Sequence, residues 1–269
     1  MADAFIALVT GASSGIGEAT ARRLAREPGA RLVLVARREQ RLKALADELG
    51  SATVVALDLT QPDSPQRLLN HVQSEHGQLH MLVNNAGASW RSTFEEGGWA
   101  NVAQHMRLNF EAPVRLTEAL LPLLRETARQ QAAKTRPISI VNVASTSARV
   151  SRPNAGGYSA SKYAFAGWSD ALYAEERPHG VHVGLVLPGF VSTDGFPATE
   201  IRARAATRWM LSTPEKVAEA IVDAGPGGKA ERYVPRPYWL AAAARLLAPA
   251  VVRRATGGGL FTTSTPGRT

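Results

Sequence analysis

The chain has 269 residues, 45% of them hydrophobic, a formal charge of +8 and no cysteine. The missing cysteine excludes disulfides, thiolate catalysis and cysteine-based metal sites, and the six histidines show no paired helical ligand motif, so no metal is expected. The positive charge is mostly arginine in dispersed clusters such as Arg22-Arg23-Arg26 and Arg202-Arg204-Arg208, which read as solvated helix faces, and without a recognisable nucleic-acid-binding module no nucleic-acid partner is expected.

In chain order, the apolar run Phe5 to Val9 reads as a buried strand that enters Thr10-Gly11-Ala12-Ser13-Ser14-Gly15-Ile16-Gly17 and then a helix pattern over 18–27. Gly11 permits a tight turn, Gly15 lets a diphosphate approach the backbone, and Gly17 allows the helix to pack on the strand. The first N–H groups of that helix suit an anion. A second strand, 31–36, ends in Arg37-Arg38 with no carboxylate before Glu39. A carboxylate there would bind the ribose 2′-OH of NAD, whereas arginine accommodates the extra phosphate of NADP, so NADP(H) is expected over NAD(H). The plainer reading is two arginines opening a solvated helix.

A third strand, 53–57, ends at Asp58, suited to an adenine amino group and equally to capping a helix. A fourth, 79–83, leads into Asn84-Asn85-Ala86-Gly87, and a fifth, 138–143, leads to Ser145. Tyr158 and Lys162 then stand four apart, one turn of the same helix face, where a cation beside a phenol favours the phenolate and supports acid/base chemistry at an alcohol or carbonyl. A sixth strand, 181–187, runs into Pro188-Gly189, and a helix starting at Thr213-Pro214-Glu215 and a glycine-rich break precede a last strand, 231–234. The alternation predicts an α/β fold: a Rossmann-like doubly wound parallel sheet of about seven strands with helices on both faces. One catalytic domain over 1–235, with a substrate loop about 190–212, is expected to be followed by an apolar and basic extension and mobile tail over 236–269.

The motifs TGxxxGxG at 10–17, NNAG at 84–87, Asn109, Ser145, YSASK at 158–162 and Pro188-Gly189, in this order and spacing, resemble the short-chain dehydrogenase/reductase family over roughly residues 5–225. The resemblance implies an NADP(H)-dependent oxidoreductase interconverting a carbonyl and a secondary alcohol. Tyr158 would be the acid/base, Ser145 the hydrogen-bond partner of the substrate oxygen, Lys162 the ribose anchor that lowers the tyrosine pKa, and Asn109 the support of a relay water. It implies cofactor contacts at Gly11, Ser13, Ser14, Gly15, Ile16, Gly17, Arg37, Arg38, Asp58, Leu59, Asn85, Ala86, Gly87, Tyr158, Lys162, Pro188, Gly189, Val191 and Thr193. It also implies homodimers or homotetramers through helices about 100–126 and 158–176.

For the substrate, Trp90, Phe190 and Phe196, with Phe94, Trp209 and Met210, are candidates to line an apolar pocket. A small-molecule carbonyl or alcohol of mostly hydrophobic character is the expected partner. The segment from Pro237 to Arg254, interrupted by Arg245 and Pro249, is too short in its uncharged run to span a bilayer. It suits packing on a partner subunit, covering the pocket, or lying on an anionic membrane surface. With no apolar segment ahead of the first strand, a cytoplasmic location is expected. Two other readings stand beside the enzyme: a dinucleotide-binding sensor or scaffold without turnover, and a membrane-associated reductase of lipid-like ketones.

Overall fold

In a computed structural model that describes residues 4–131, 136–193 and 210–257, the chain folds around seven parallel strands. Its elements are β1 (Phe5–Thr10), α1 (Gly15–Leu24), β2 (Ala30–Ala36), α2 (Glu39–Leu49), β3 (Ala52–Ala56), α3 (Ser64–Glu75) and β4 (Met81–Asn84). There follow α4 (Phe94–Met106), a π-helical turn (Arg107–Glu111), α5 (Ala112–Gln130), β5 (Ile138–Val143), α6 (Gly156–Glu176) and β6 (Val181–Pro188). The chain then forms β7 (Phe190–Val191), β8 (Leu211–Ser212), α7 (Pro214–Ala224), β9 (Glu231–Val234), α8 (Tyr238–Leu247) and α9 (Pro249–Gly257). The sheet order is β3-β2-β1-β4-β5-β6-β9.

Every residue of β1 is buried, the mark of a strand covered on both faces rather than one. Phe5, Ala7 and Val9 pack with Leu24, Leu42 and Ile221 of α1, α2 and α7, while Ile6 and Leu8 pack with Leu68, Leu116, Leu120 and Leu172 of α3, α5 and α6. The pleat thus divides one strand between two cores. The chain runs outward from β1 to β3 in one direction and from β4 to β9 in the other, leaving a crevice above the β1/β4 boundary. Thr10, Asn84, Val143 and Pro188, the last residues of four strands, border it.

The expected strands appear with small shifts. Leu79 is buried as anticipated but precedes β4, because its N–H pairs with the Thr127 hydroxyl at 3.1 Å instead of a neighbouring strand. The helix start at Thr213 is real: its side chain accepts the Lys216 N–H at 3.5 Å. Arg245 lies inside α8 without interrupting it, whereas Pro249 begins a new helix. The parallel pair β7–β8, which ties Phe190 to Leu211 and Val191 to Ser212, has no counterpart among the expected strands. Two residues per strand are too few to leave a period in sequence.

One long-range ion pair secures the α5–α6 layer. Glu176 is 1% exposed, and Arg125 holds both its oxygens, with Nε to Oε2 at 2.8 Å and Nη2 to Oε1 at 2.5 Å. Removing the arginine strands a buried carboxylate. Arg125→Met is therefore expected to lower stability by about 2 kcal/mol, discounted because the guanidinium is partly solvated. Chemical denaturation monitored by circular dichroism measures this, and an unchanged midpoint would show that the pair contributes nothing.

Candidate active site

The glycine-rich turn folds back on the strand that precedes it. Gly11 and Gly15 take φ of +69° and +56°, a region that side chains disfavour. A Cβ on Gly17 would sit 2.6 Å from the Gly11 carbonyl carbon and 2.7 Å from Asn85 Nδ2, so α1 approaches β1 as closely as backbone allows. Ser14 occupies the N-cap of α1 without a side-chain capping bond, leaving the first N–H groups open toward the crevice. Thr193 packs over the turn, its Cγ2 3.1 Å from where a Gly15 Cβ would be. The run from Pro188 to Thr193 thereby reaches back to the glycine-rich turn.

Beneath the turn, the Thr10 hydroxyl donates to Val83 O at 3.0 Å and accepts from the N–H groups of Asn85 (2.9 Å) and Ala86 (3.0 Å), while Asn85 Nδ2 donates to Thr10 O at 2.8 Å. Asn85 thus joins β1 to β4 through both its backbone N–H and its side-chain amide. Arg38 is the arginine fixed on the turn: Nε and Nη2 donate to Ser13 Oγ at 3.1 and 2.9 Å, and Nη2 to Ser14 Oγ at 2.6 Å. Arg37 is exposed at the end of β2. Two N–H and O–H donors from Thr60, with the Arg37 charge, hold the Asp58 carboxyl below its usual range against the opposing effect of burial. Its Oδ1 is thus taken by Thr60. Asp58 does not cap the following helix, whose N-cap is Asp63; its side chain instead shapes the loop through Thr60. Leu59 and Ile16 are half-buried, packed on opposite cores.

At the other end of the crevice stand Ser145, Tyr158 and Lys162. Ser145 caps a short 3-10 turn, accepting from Ser147 N at 3.1 Å, and its hydroxyl donates to Pro188 O over 3.4 Å. That long bond is easily surrendered, and the same hydroxyl stands where it favours the deprotonated Tyr158 phenol. Lys162 is buried, with Nζ donating to Val143 O at 2.9 Å, 5.9 Å from the centre of the Tyr158 ring and beside Gly87, whose Cβ would be 3.5 Å away. Burial, unrelieved by any carboxylate, lowers the Lys162 ammonium to about 8. Burial likewise raises the Tyr158 phenol above its ordinary value, opposed by the Ser145 hydroxyl and by the charge of Arg152. Arg152 therefore supplies a positive charge that favours the phenolate.

Asn109 lies in the π-helical turn, where widened backbone spacing frees carbonyls from the helix ladder. Its side chain clasps Ala88, Oδ1 accepting from N and Nδ2 donating to O, both at 2.9 Å, and Nδ2 also donates to Ser161 Oγ at 3.1 Å. Ser161 in turn donates to Tyr158 O at 2.8 Å, so Asn109 links the strand-end loop to the helix that carries Tyr158. Any relay through Asn109 must use its main chain, because its amide is committed.

Several contributors escape sequence reasoning. Arg152 stacks over Phe190, its Cζ 4.5 Å from the ring centre, and among the described residues no carboxylate pairs with it. Buried His105 accepts from Trp90 N at 3.0 Å through Nε2 and faces Asn101 O at 2.8 Å through Nδ1, an arrangement that assigns the proton to Nδ1. Its ring meets Trp90 and Tyr158 edge-on, at 5.0 and 6.1 Å. Burial lowers its pKa below the ordinary 6.5, so the clamp on the Trp90 loop contributes fully above pH 6.5 and weakens as pH falls, when the unfolded chain takes up the proton first. Asn84, whose Nδ2 donates to Thr117 Oγ1 and Asn142 Oδ1 at 3.0 and 2.9 Å, ties β4 and β5 to α5 beneath the site. Arg152 and His105 belong to no motif, and although Asn84 opens the NNAG run, its partners lie 33 and 58 positions away.

Of the substrate candidates, Trp90 and Phe190 border the Tyr158 end of the crevice; Phe196 and Trp209 lie outside the described residues. Phe94 does not line an apolar pocket: it begins α4 and is 79% exposed. Met210 contributes its carbonyl, which accepts from the Tyr238 hydroxyl at 3.1 Å. Val191 is buried in the strand pair, and Gly189 lies under the Tyr238 ring, whose Cζ would be 2.6 Å from an added Cβ.

A family model described as short chain dehydrogenase matches residues 5–202. The chain is 31% identical over 199 residues to "Dehydrogenase/reductase SDR family member 7B" of Danio rerio, covering 70% of this chain and 62% of that protein. It is 32% identical over 221 residues to "Ketoacyl reductase HetN" of Nostoc sp., covering 81% and 74%. The chain thus spans about three-fifths to three-quarters of the length of these curated relatives. Among solved structures, an actinorhodin polyketide ketoreductase variant with NADPH superposes with a TM-score of 0.75 at 29% identity, covering 88% of this chain and 97% of the other.

Proposed function

The chain belongs to the short-chain dehydrogenase/reductase family, and from that premise we propose that it is an NADP(H)-dependent oxidoreductase interconverting a carbonyl and a secondary alcohol. The observation that carries the reading is the convergence of Ser145, Tyr158 and Lys162 at one end of a crevice whose other end is an open helix N-terminus lined by Arg38. The crevice fits a dinucleotide: the Gly11–Gly17 turn and the α1 N-terminus would hold its diphosphate, Arg38 with Arg37 the 2′-phosphate, and Asp58 the adenine. Gly87, Lys162 and the Pro188–Thr193 run would hold its nicotinamide half. When bound, the cofactor supplies or accepts the hydride.

The chain's own residues do the rest. As the carbonyl oxygen gains negative charge, Ser145 turns its hydroxyl from Pro188 O to donate to it. Tyr158 donates its proton to the same oxygen, and Lys162 and Arg152 stabilise the phenolate left behind. Asn109 holds the Ala88 loop and α6 in register so that the Tyr158 oxygen stays within reach. In the reverse direction, Tyr158 must be a phenolate and accepts the proton. The substrate is a mostly apolar ketone or alcohol seated against Trp90 and Phe190, and the enzyme acts in the cytoplasm as a homodimer or homotetramer formed through α5 and α6.

The cofactor preference has its own test. NADPH is expected to bind at least about tenfold more tightly than NADH, the worth of one good charge-assisted contact, and Arg38→Glu should erase that difference. Parallel fluorescence titrations measure both. Equal affinities for the two dinucleotides in the unsubstituted protein would overturn the assignment of the arginines.

Arg152 gives a second test. Its charge favours the Tyr158 phenolate, so Arg152→Gln should raise the tyrosine pKa and move the rising limb of the alcohol-oxidation profile toward higher pH. A pH profile that does not move would remove Arg152 from the electrostatics of the site.

A further inference from the structure

The outer face of α8 is apolar. Trp239, Leu240, Leu246 and Leu247 are 54, 55, 82 and 86% exposed, and Ala243 completes the stripe at helical spacing i, i+1, i+4, i+7, i+8. Tyr238 and Ala242, along one edge of the stripe, are buried. A globular helix normally turns its stripe inward, and here an amphipathic helix is seated by two residues while its wider apolar face points to water. Val251 of α9 extends the surface, at 65% exposed. Large contiguous apolar patches of this kind mark contact surfaces.

Charge indicates what covers it. From Arg232 to Thr269 the sequence contains no aspartate or glutamate, while Arg236, Arg253 and Arg254 are exposed around the stripe and Arg245 is half-buried beside it. A second copy of the same face would bring arginine against arginine with no carboxylate to answer it. Nor is the stripe a lid on the pocket, because α8 already rests on its own domain through that buried edge: Tyr238 covers Gly189 and its hydroxyl donates to Met210 O. Among the described residues no helix is long and apolar enough to cross a membrane.

We propose that α8 and α9 dock on an anionic lipid bilayer, with the Trp239–Leu247 stripe in the interface and the arginines among the phosphate headgroups. Tyr238 couples the docked helix to Gly189 and, beyond it, to Phe190 at the substrate end of the crevice. Docking would therefore bring the mouth of the site to the lipid surface, where apolar carbonyl compounds partition. The docking itself does not depend on the oxidoreductase reading and is measured without turnover.

The test is flotation of the full chain with vesicles of phosphatidylcholine alone or with about one-third phosphatidylglycerol, at low and high salt. The protein should float with the anionic vesicles, weakly or not at all with the neutral ones, and less at high salt. The double substitution Leu246→Glu and Leu247→Glu should reduce anionic binding at least about tenfold. Both side chains are more than four-fifths exposed, so the fold survives, which retained NADPH binding checks. Equal flotation of the variant, or no preference for anionic vesicles, would overturn the proposal. So would a variant whose oligomer dissociates in analytical ultracentrifugation, which would give the face to a second copy of the chain.

Discussion

Tyr158→Phe is expected to lower the rate of carbonyl reduction by about 10³-fold while leaving NADPH affinity nearly unchanged, since positioned acid/base groups contribute about 10²–10⁴. The substitution deletes one oxygen. It keeps the ring that meets His105 edge-on and lies 5.9 Å from Lys162 Nζ, and it leaves the Ser161 bond to the Tyr158 backbone carbonyl in place. What is lost is the phenol whose deprotonated form Ser145 and Arg152 favour. Ser145→Ala should act through the same oxygen and, combined with Tyr158→Phe, cost less than the sum of the two, because residues acting as a unit are not additive. Steady-state kinetics of the two single variants and the double variant, with dinucleotide titrations alongside, separate chemistry from binding. A Tyr158→Phe enzyme with most of its activity would mean that the proton comes from elsewhere.

Gly17→Ala is expected to abolish detectable dinucleotide binding and to cost about 1–3 kcal/mol of stability, the usual penalty for forcing a methyl into filled space. The collision here is with backbone. The new Cβ would stand 2.6 Å from the Gly11 carbonyl carbon and 2.7 Å from Asn85 Nδ2, the amide that secures Thr10 O. The carbonyl is backbone and the amide end is held by its bond to Thr10 O, so α1 must tilt away from β1 and carry its N-terminal N–H groups out of the crevice. Gly50→Ala is the control: an added Cβ meets nothing within 4 Å, although the φ of +68° imposes local strain. It should lose stability without losing the cofactor. Thermal unfolding and NADPH titration of both variants decide the matter, and a Gly17→Ala protein that binds normally would show the turn to be softer than its packing implies.

How much of this was legible in sequence follows from where each signal resides. The strands announce themselves because a sheet covered on both faces needs mostly apolar runs: Phe5–Val9 is unbroken, while Ile138–Val143 carries Ser139 and Asn142 and Val181–Leu187 carries His182. The glycine turn is legible because Gly11, Gly15 and Gly17 meet a backbone requirement within seven residues. Tyr158 and Lys162 could be paired as an acid/base site from their helical spacing, but Ser145 gained its role only through resemblance to a family, since nothing in the spacing brings a strand end to that helix. Arg38's grip on Ser13 and Ser14, the His105 clamp on Trp90 and the stacking of Arg152 on Phe190 are tertiary contacts that leave no period. The C-terminal segment shows the limit most clearly. Its amphipathic character could be read, but which face of α8 is buried depends on Tyr238 finding Gly189, a neighbour 49 positions away.

The most direct test of the central claim is loss of reduced-nicotinamide absorbance when NADPH is mixed with the purified protein and a panel of apolar ketones and 3-oxoacyl thioesters, with Tyr158→Phe run in parallel. The account predicts oxidation of NADPH with at least one panel member and about a 10³-fold slower rate in the variant. Tight NADPH binding with no oxidation across a broad panel, or equal rates for the two proteins, would contradict it.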